Sequence, residues 1–402
     1  MAKENRNYLT GKEIKAIAKA NAKEMKRLEA YKNRKAPESE FLSQMHSEEN
    51  ILEIEDLHTF FFTEQGVVKA VNGVSYDVPK NAVVGVVGES GCGKSVTSMS
   101  VMRLIQGPTG QIVEGSIRFK SHEYKRDEKG NPILKAGAEG EYEMEDKVYD
   151  IAKMPIHEIH RIRGKQIAMI FQEPMTSLNP VFTIGEQLDE VTFIHTPGAT
   201  KEMAKAKTEE MLRLVGIIPE NVYKAFPHEL SGGMRQRVMI AMALAAEPRL
   251  IIADEPTTAL DVTIQAQILD LLQDIKNKID GSILLITHDL GVIAEMADYV
   301  VVMYAGKVIE KGTVYEIFQD PKHPYTIGLQ KSKPTMSLDD STELYNIPGN
   351  VPNPINMPAH CYFKERCVKC TAKCSGDYPG MVQVSPTHYV ACHLYDEEVA
   401  ND

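Results

Sequence analysis

The stretch from Gly88 to Ser95 reads GESGCGKS and directly follows the apolar run AVVGVVG. It fits the pattern G-x-x-x-x-G-K-[ST], in which glycines let backbone N–H groups surround phosphate oxygens. Lys94 is placed to reach the β- and γ-phosphates, and the Ser95 hydroxyl is placed to ligate Mg²⁺. A helix that begins here adds a positive N-terminal dipole. The sequence therefore predicts a nucleotide triphosphate site between a strand and a helix.

A second apolar run, LIIADE, ends in two acidic residues. Asp254 is expected beside the magnesium ion, and Glu255 follows where a base polarises the attacking water. Two acids that merely cap a strand are the alternative for this pair taken alone. Because the run follows the phosphate loop in the order that such sites need, we predict a site that hydrolyses a nucleotide triphosphate.

The elements that must position these residues are buried strands that alternate with helices. Four continuous apolar runs are of the kind that a parallel sheet buries on both faces: AVVGVVG, RLIIAD, SILLIT and YVVVMY. Before them, ILEIEDLHTFFFT and VVKAVNGVSYDV alternate or carry β-branched and aromatic residues, which indicates further strands. The predicted fold class is therefore α/β with a mostly parallel sheet.

Composition narrows the class of protein further. The chain has 402 residues and a formal net charge of −11, which argues against general nucleic-acid binding because phosphate neutralisation needs a basic surface. No apolar run reaches the roughly 18 residues of a transmembrane helix, and the N-terminus MAKENRNYLTGKE lacks the apolar segment of a secretory signal. We expect the protein in the cytosol, where thiols stay reduced.

Between the two parts of the phosphate site stands LSGGMRQR, residues 230–237. Two glycines that lead into a helix expose backbone donors at its positive end, and Ser231 adds a hydroxyl. The stretch resembles the signature motif of the ATP-binding-cassette (ABC) ATPases, which closes on the γ-phosphate bound by the opposite subunit. The other motifs of that family stand in order around it: a Q-loop at Phe171 and Gln172, a D-loop at Asp261 in DEPTTALD, and a switch histidine at His288 in THD.

The resemblance covers roughly residues 51–400 and implies a P-loop NTPase core of RecA-like type, an antiparallel β portion and a helical ABC subdomain. It assigns the base to Glu255 and a γ-phosphate contact to His288. Phe61 is the residue expected to stack on adenine, with core packing as the alternative. The remaining roles are ATP phosphates for Ser90, Gly91, Cys92, Gly93, Lys94, Ser95 and Val96; magnesium for Ser95, Gln172 and Asp254; and the partner's nucleotide for Ser231, Gly232, Gly233 and Gln236.

Further wording is typical of the oligopeptide, dipeptide and nickel importer ATPases: FQEPMTSLNPVFTIGEQL, HPYTIGL and the ending C-x-F-x-x-R-C … VAC. Within that group the chain is most similar to the D-type ATPase of oligopeptide permeases. The resemblance implies ATP-driven import at the cytoplasmic face of the cell membrane. It also implies three kinds of partner: a related F-type ATPase, two transmembrane permease subunits and an extracellular solute-binding protein.

Two other functions are alternatives to peptide import. Import of another solute, such as nickel or an oligosaccharide, stays open because an ATPase of this kind has no solute pocket. A soluble ABC protein that acts on ribosomes or DNA usually carries two cassettes or a long coiled-coil insert, and the sequence has neither.

Five of the six cysteines stand near the end of the chain, in CYFKERCVKCTAKC and at Cys392. In a reducing compartment such a cluster holds metal more often than disulfides. The family pattern selects Cys361, Cys367, Cys374 and Cys392 and implies a four-iron, four-sulfur (4Fe-4S) cluster, with Zn²⁺ as the alternative. Cys370 offers a rival ligand, and free thiols are the third possibility. A metal-binding regulatory protein with a secondary ATPase is disfavoured because every hydrolysis motif is intact.

These patterns divide the chain into three expected segments. Residues 1–49 form a basic helical extension and linker, 50–320 the nucleotide-binding domain with a helical subdomain at about 173–229, and 321–402 a cysteine-bearing extension. The basic extension has one apolar stripe, so it either touches anionic lipid or a membrane partner, or packs as a solvated helix on its own domain. The polar insert at 121–153 is either a passive surface extension or a partner contact.

Overall fold

The computed structural model describes residues 9–127, 131–135, 142–172, 177–258, 261–279, 281–332, 345–355 and 357–396. The residues outside these ranges are 1–8, 128–130, 136–141, 173–176, 259–260, 280, 333–344, 356 and 397–402, and they include parts of the predicted extensions, insert, helical subdomain and D-loop segment. None of the helices in the described ranges combines the length and apolar character that a membrane crossing needs.

The strands and helices follow one another along most of the chain. The strands are β1 (Asn50–Thr63), β2 (Gly66–Pro79), β3 (Val83–Val87), β4 (Gly110–Tyr124), β5 (Met144–Asp150), β6 (Ile167–Ile170), β7 (Leu250–Asp254), β8 (Ser282–Ile286), β9 (Tyr299–Tyr304), β10 (Lys307–Thr313), β11 (Val382–Gln383) and β12 (Tyr389–Val390). The helices are α1 (Gly11–Lys32), α2 (Lys94–Val101), α3 (Ile184–His195), α4 (Lys201–Leu214), α5 (Pro219–Val222), α6 (Gly232–Leu244), α7 (Val262–Ile279), α8 (Leu290–Met296), α9 (Val314–Gln319) and α10 (Pro324–Lys331).

The central sheet has the strand order β11-β12-β10-β9-β3-β8-β7-β6. Its members from β9 to β6 are parallel, whereas β10 and β12 pair antiparallel at one side. Every residue of β3, β7 and β8 is buried, as expected for continuous apolar runs covered on both faces. The predicted α/β fold with a mostly parallel sheet is confirmed. The carboxyl ends of these strands lie at one edge, where the phosphate loop begins.

A second, antiparallel sheet has the order β2-β1-β4-β5. The basic helix α1 starts at a capping box of Thr10 and Glu13 and packs on this sheet. Its Asn21 donates a hydrogen bond of 2.8 Å to the carbonyl of Thr63, and its Leu28 is buried. The helix therefore packs on its own domain, which is the second of the two alternatives for this extension. The insert lengthens the same sheet, because β4 and β5 remain paired as far as Tyr124 and Met144.

Helices α3 to α6 lie between β6 and β7 in the chain. Helix α3 begins at a capping box of Thr183 and Glu186, and α4 begins at Thr200. Their inward faces share one apolar cluster that includes Leu188, Leu212 and Val238. This helical part carries the signature stretch at the start of α6 and joins it to the core.

Residues after α10 return to both sheets. Strand β12 pairs with β10 at the edge of the central sheet. The N–H of Lys69 in β2 donates to the carbonyl of Pro354 at 3.2 Å. The C-terminal extension is therefore fastened to the domain that carries the phosphate loop.

Candidate nucleotide-binding and hydrolysis site

The phosphate loop joins the carboxyl end of β3 to α2. Gly91 and Gly93 have φ of 79° and 102°, a region that L side chains rarely adopt. A Cβ at Gly93 would lie 2.4 Å from the carbonyl oxygen of Ala70, whereas a Cβ at Gly91 would meet nothing within 4 Å. The loop is therefore packed against β2 on one side and open on the other, where a ligand has room.

Lys94 is the buried cation of this loop. Its Nζ donates to the carbonyl of Gly88 at 2.7 Å and to that of Glu89 at 3.2 Å. Among the described residues it forms no ion pair with a carboxylate, so its charge stays available to an anion. Cys92 beside it is buried, and burial raises the pKa of its thiol, which fits an unreactive filler.

Ser95 and Asp254 bring the two predicted halves of the site together. The Ser95 hydroxyl donates to Asp254 Oδ1 at 2.9 Å, across 159 positions of sequence. Burial raises the pKa of Asp254, the charge of Glu255 raises it too, and the Ser95 hydrogen bond opposes both. A hydroxyl and a carboxylate this close supply the oxygen ligands that Mg²⁺ prefers, so these residues fit the ion.

Glu255 follows β7 with a φ of 49°, an unusual conformation for a residue other than glycine. Its Oε2 accepts hydrogen bonds of 2.9 Å from Gln172 Nε2 and from the hydroxyl of Thr258. His288 Nδ1 lies 3.3 Å from Oε1. The structure thus brings Gln172, Glu255 and His288 together, and it places Gln172 on Glu255 instead of on the Ser95–Asp254 pair. The contact of Thr258 was missed, although it lies in the DEPTT stretch that marked Glu255.

The signature residues are on the surface at the start of α6. The Ser231 side chain caps this helix by accepting from the N–H of Met234 at 3.3 Å. Ser231 and Gly232 are exposed, and a Cβ at Gly232 would meet nothing within 4 Å. No hydrogen bond in the described ranges joins Ser231, Gly232 or Gly233 to the phosphate loop. These residues present their donors outward.

Gln236 and Asp261 differ from the other signature and D-loop residues in what they contact. Gln236 is buried and its Nε2 donates to the carbonyl of Pro256 at 2.6 Å, so its amide is turned into its own chain and not toward a partner. Asp261 is exposed and accepts from the N–H of Ile264 at 2.9 Å, at the start of α7. Gln236 therefore ties the signature helix to the segment that follows Glu255.

Phe61 lies on β1 opposite Gly110 of β4. Its ring covers that glycine, because a Cβ there would lie 2.8 Å from Phe61 Cε1 and 2.6 Å from Ile105. This is the packing alternative given for Phe61. The neighbouring Phe62 is buried, whereas Phe60 is partly exposed beside Lys69. A role of Phe61 toward adenine stays a prediction.

One contact to the phosphate loop was not predicted. Arg366, from the cysteine-bearing extension, donates from Nη1 and Nη2 to the two carboxylate oxygens of Glu89 at 2.8 and 3.0 Å. The N–H of Glu89 donates to the hydroxyl of Tyr325 at 2.8 Å. The sequence marked Arg366, because this residue is the arginine of the C-x-F-x-x-R-C ending. It did not indicate that Glu89 is the partner of that arginine.

Within the described ranges, the cysteines do not form a metal site. All six thiols are free, and in the part of the chain that the structure describes no three His, Cys, Asp or Glu side chains are arranged to hold a metal ion. The four predicted ligands do lie near one another: burial raises the pKa of Cys392 to about 11, and the neighbouring Cys361, Cys367 and Cys374 contribute to this rise. Proximity of the thiols is not by itself a formed metal site.

Fold and site together define a P-loop ATPase with a surface signature helix. Comparison of the sequence with known families agrees, because residues 71–258 match the family described as ABC transporter and residues 309–374 match the family described as oligopeptide/dipeptide transporter, C-terminal region. The chain belongs to the ABC transporter family, in the group that carries this C-terminal region.

Curated relatives extend over most of the chain. It is 46% identical over 351 residues to the oligopeptide transport ATP-binding protein AppD of Bacillus subtilis (strain 168), which covers 87% of this chain and 98% of AppD. It is 49% identical over 345 residues to the oligopeptide transport ATP-binding protein OppD of the same strain, which covers 86% and 88%. The dipeptide transport ATP-binding protein DppD of that strain is 45% identical over 350 residues, covering 87% and 96%.

Solved structures share the fold. A post-hydrolysis dimer of the ATP-binding cassette MJ0796 bound to ADP and Pi has a TM-score of 0.52 at 22% identity, covering 65% of this chain and 98% of that one. The cbiO1 protein of Clostridium perfringens, part of the ABC transporter complex cbiONQ, has a TM-score of 0.51 at 23% identity, covering 70% and 96%.

Proposed function

We propose that this chain binds and hydrolyses ATP as a subunit of an importer that carries oligopeptides or dipeptides across the cytoplasmic membrane. The observation that carries the proposal is the Glu255 carboxylate, which Gln172, Thr258 and His288 contact, and which follows directly on the Ser95–Asp254 pair. The names of the relatives AppD, OppD and DppD supply the solute class.

The phosphate tail of ATP binds in the loop between β3 and α2. Backbone N–H groups from Ser90 to Val96 surround its oxygens, and Lys94 exchanges its loop carbonyls for oxygens of the β- and γ-phosphates. What supports this is the buried, unneutralised ammonium of Lys94 and the open space at Gly91. Phe61 is assigned to adenine, although its ring packs on Gly110 in this structure.

Hydrolysis uses the carboxylate that follows β7. Ser95 and Asp254 would hold Mg²⁺, with Gln172 nearby, and the ion would neutralise charge on the transferred phosphoryl group. Glu255 accepts a proton from the attacking water, and its hydrogen bonds to Gln172 and Thr258 fix the carboxylate in place. His288 contacts the γ-phosphate from the other side of Glu255.

A second cassette completes each site. Ser231, Gly232 and Gly233 face outward and serve the nucleotide of the partner, with Asp261 at the same interface. Gln236 belongs to that set by resemblance, but its bond to Pro256 gives it a role inside this chain. We assign the partner to a related F-type ATPase.

The helical part docks on the membrane subunits. Large apolar side chains are exposed on α3 and just before it, at Val181, Phe182, Phe193 and Ile194. Such a patch on a folded surface is characteristic of protein contacts. We place the chain at the cytoplasmic face of the membrane, beneath two permease subunits fed by an extracellular binding protein.

For the C-terminal extension we propose a metal centre, either a 4Fe-4S cluster or Zn²⁺, held by Cys361, Cys367, Cys374 and Cys392. The mutual proximity of the thiols supports it, although they do not stand in ligand geometry. Elemental analysis of anaerobically purified protein decides: iron and sulfide favour the cluster, zinc favours the alternative, and metal-free protein leaves free thiols.

Glu255→Gln tests the hydrolytic assignment. Because glutamine keeps hydrogen-bonding groups of the same size but cannot take a proton, we expect ATP affinity within about twofold of wild type and turnover at least about 100-fold lower. The assembled transporter in peptide-supplied vesicles is the sample, and released phosphate is the readout.

Glu220→Gln is the matched control. It makes the same chemical change at a side chain that is 68% exposed on the helical part, and it should leave turnover unchanged. If Glu255→Gln hydrolyses ATP as fast as this control, Glu255 is not the base. ATPase activity that peptides fail to stimulate, while nickel or oligosaccharides stimulate it, moves the chain to another solute.

A further inference from the structure

A cavity of about 290 Å³ lies between α1 and the antiparallel sheet. Basic side chains line it from three directions: Arg27 and Lys32 from α1, Arg103 from the turn after α2, and Lys153 from the segment after β5. Glu114 is the only carboxylate among the residues that line it. The cavity is distinct from the phosphate loop, which lies at the opposite end of α2.

Among the four basic residues that line this cavity, Arg103 is the buried one, with 9% of its surface exposed. Its Nη1 donates to the carbonyls of Ile151 and Ala152 at 3.3 and 2.6 Å. In the described ranges Nε and Nη2 have no protein acceptor, and the guanidinium has no carboxylate within ion-pair distance. A guanidinium carries five N–H donors, so most of its donors are left for a ligand.

The acidic groups close enough to affect Arg103 are already engaged. Glu29 accepts from Gln111 Nε2 at 2.7 Å and from Asn33 Nδ2 at 2.9 Å. Asp150 lies close enough to affect Arg103, but its carboxylate is bound by Lys153 at 2.9 Å, by the Ser116 hydroxyl and by the N–H of Ile117. Burial is the main reason that the pKa of Arg103 falls to about 10; Tyr31 and Asp150 oppose this change, and the positive charges of Arg34 and Arg163 contribute to it. A desolvated cation among other cations is unfavourable unless an anion joins it.

The backbone at Arg103 is also unusual. It has a φ of 53° at the position that ends α2, where Met102 and Leu104 donate back to Ser98 and Met99. Glycine is the residue that normally takes this left-handed position, and a side chain there costs about 1 kcal/mol. The arginine is therefore held in a strained conformation that directs its side chain to the cavity.

We infer that this cavity binds a small anion bearing a phosphate group, with Arg103 as its buried donor and Arg27, Lys32 and Lys153 around it. The size admits inorganic phosphate or a small phosphorylated molecule. Guanidinium donors match phosphate oxygens in geometry and charge. Helix α1 lies outside both matched family regions, 71–258 and 309–374, so two of the four basic residues come from a segment that they do not include.

Titration calorimetry with inorganic phosphate and pyrophosphate tests the inference. Saturating Mg²⁺ and ADP are present throughout, so the phosphate loop is filled. We expect binding to wild type, and affinity at least about tenfold weaker in Arg103→Gln, since a charged hydrogen-bond donor is worth 1.5–3 kcal/mol. Arg103→Lys should recover part of the affinity because it keeps the charge without the planar fork.

Variants at less buried positions test the same site without the risk that replacement of the buried Arg103 disrupts folding. Arg27→Gln with Lys32→Gln removes two charges that line the cavity, and Lys12→Gln with Lys15→Gln removes two from exposed positions near the start of the same helix. The first pair should weaken phosphate binding and the second should not. Equal affinity in all variants overturns the inference, and so does a wild type that binds neither soluble phosphate nor anionic vesicles.

A lipid headgroup is a second source of the same phosphate chemistry. Flotation with phosphatidylglycerol vesicles, against phosphatidylcholine vesicles, forms the other arm of the experiment. Retention that depends on Arg103 and on the Arg27 and Lys32 pair, without any response to soluble phosphate, supports the site and assigns its anion to the membrane. Retention that is the same in every variant counts against it.

Discussion

Arg366 and Glu89 join the cysteine-bearing extension to the phosphate loop across 277 positions of sequence. The pairing is bidentate, and the arginine side chain is 6% exposed. Burial alone would lower the pKa of Arg366, but its hydrogen bonds to Glu89 and Tyr304 raise it overall. Arg366 therefore holds the side chain of Glu89, and with it the start of the phosphate loop, against the C-terminal extension.

We expect Arg366→Gln to lower the free energy of unfolding by about 1–2 kcal/mol, because the mostly buried ion pair of Arg366 and Glu89 loses its cation. Glu89→Gln alone should cost a similar amount. The double variant should cost less than the sum, since the second change removes a partner that is already lost. Urea unfolding of the four proteins and their ATP affinities give the cycle. Additivity within about 0.3 kcal/mol would remove the coupling.

His323 is a single residue that should set a pH dependence. It is buried at the N-cap of α10, where Nδ1 accepts from the N–H of Tyr325 at 3.0 Å. Burial lowers its pKa to about 4 from 6.5, against the charge of Glu310. Between these values the unfolded chain binds the proton and the folded chain does not, so stability falls as pH drops from 6.5 to 4.

The matched variant is His323→Asn, which caps a helix equally well but does not titrate. Relative to it, the wild type should lose up to about 3 kcal/mol between pH 7 and pH 4, at 1.36 kcal/mol for each pKa unit. Urea unfolding at each pH measures the difference, and other titrating groups cancel in it. A difference that stays flat across this range would mean that His323 takes up its proton in the folded chain as readily as in the unfolded chain.

At the scale of elements, two glycines of the phosphate loop distinguish backbone strain from a steric clash when glycine is replaced. Gly91→Ala places a Cβ at a φ of 79° in open space, so only backbone strain of about 1 kcal/mol is added. Gly93→Ala adds a Cβ 2.4 Å from the Ala70 carbonyl, at a φ of 102°. We expect the second variant to be less stable than the first by at least about 1 kcal/mol in urea without nucleotide. Equal stability of the two variants would show that β2 moves away from the added Cβ at no cost in free energy.

Elements were predictable from sequence where local pattern decides them. The runs that became β3, β7, β8 and β9 are continuous and apolar, so burial on both faces was readable. The loop and strand end that hold Ser95 and Asp254 follow from motifs. Hydrogen-bond partners that are distant in sequence could not be predicted. Gln172 bonds Glu255 and Gln236 bonds Pro256 because the packing of separate elements selects these partners. The packing of α1 on the antiparallel sheet could not be predicted for the same reason.

At the scale of the whole molecule, we propose that one chain carries parts of two half-sites. Lys94, Ser95, Asp254 and Glu255 meet at the ends of parallel strands. The signature residues at the start of α6 are exposed and, in the described ranges, have no hydrogen bond to that loop. Binding and turnover should therefore separate, since binding needs one half-site and turnover needs both.

Gly232→Val tests this separation directly. Its Cβ would meet nothing within 4 Å, and its backbone is outside the glycine-only region, so the variant should fold without strain. We expect ATP affinity of the isolated chain within about twofold of wild type. Turnover of the assembled transporter should fall about 100-fold, because displacement by 1 Å at a closed phosphate site is enough for that loss. Gly380→Val, also in open space, is the control. Loss of ATP binding by the isolated Gly232→Val chain would place the signature helix at the nucleotide of its own chain.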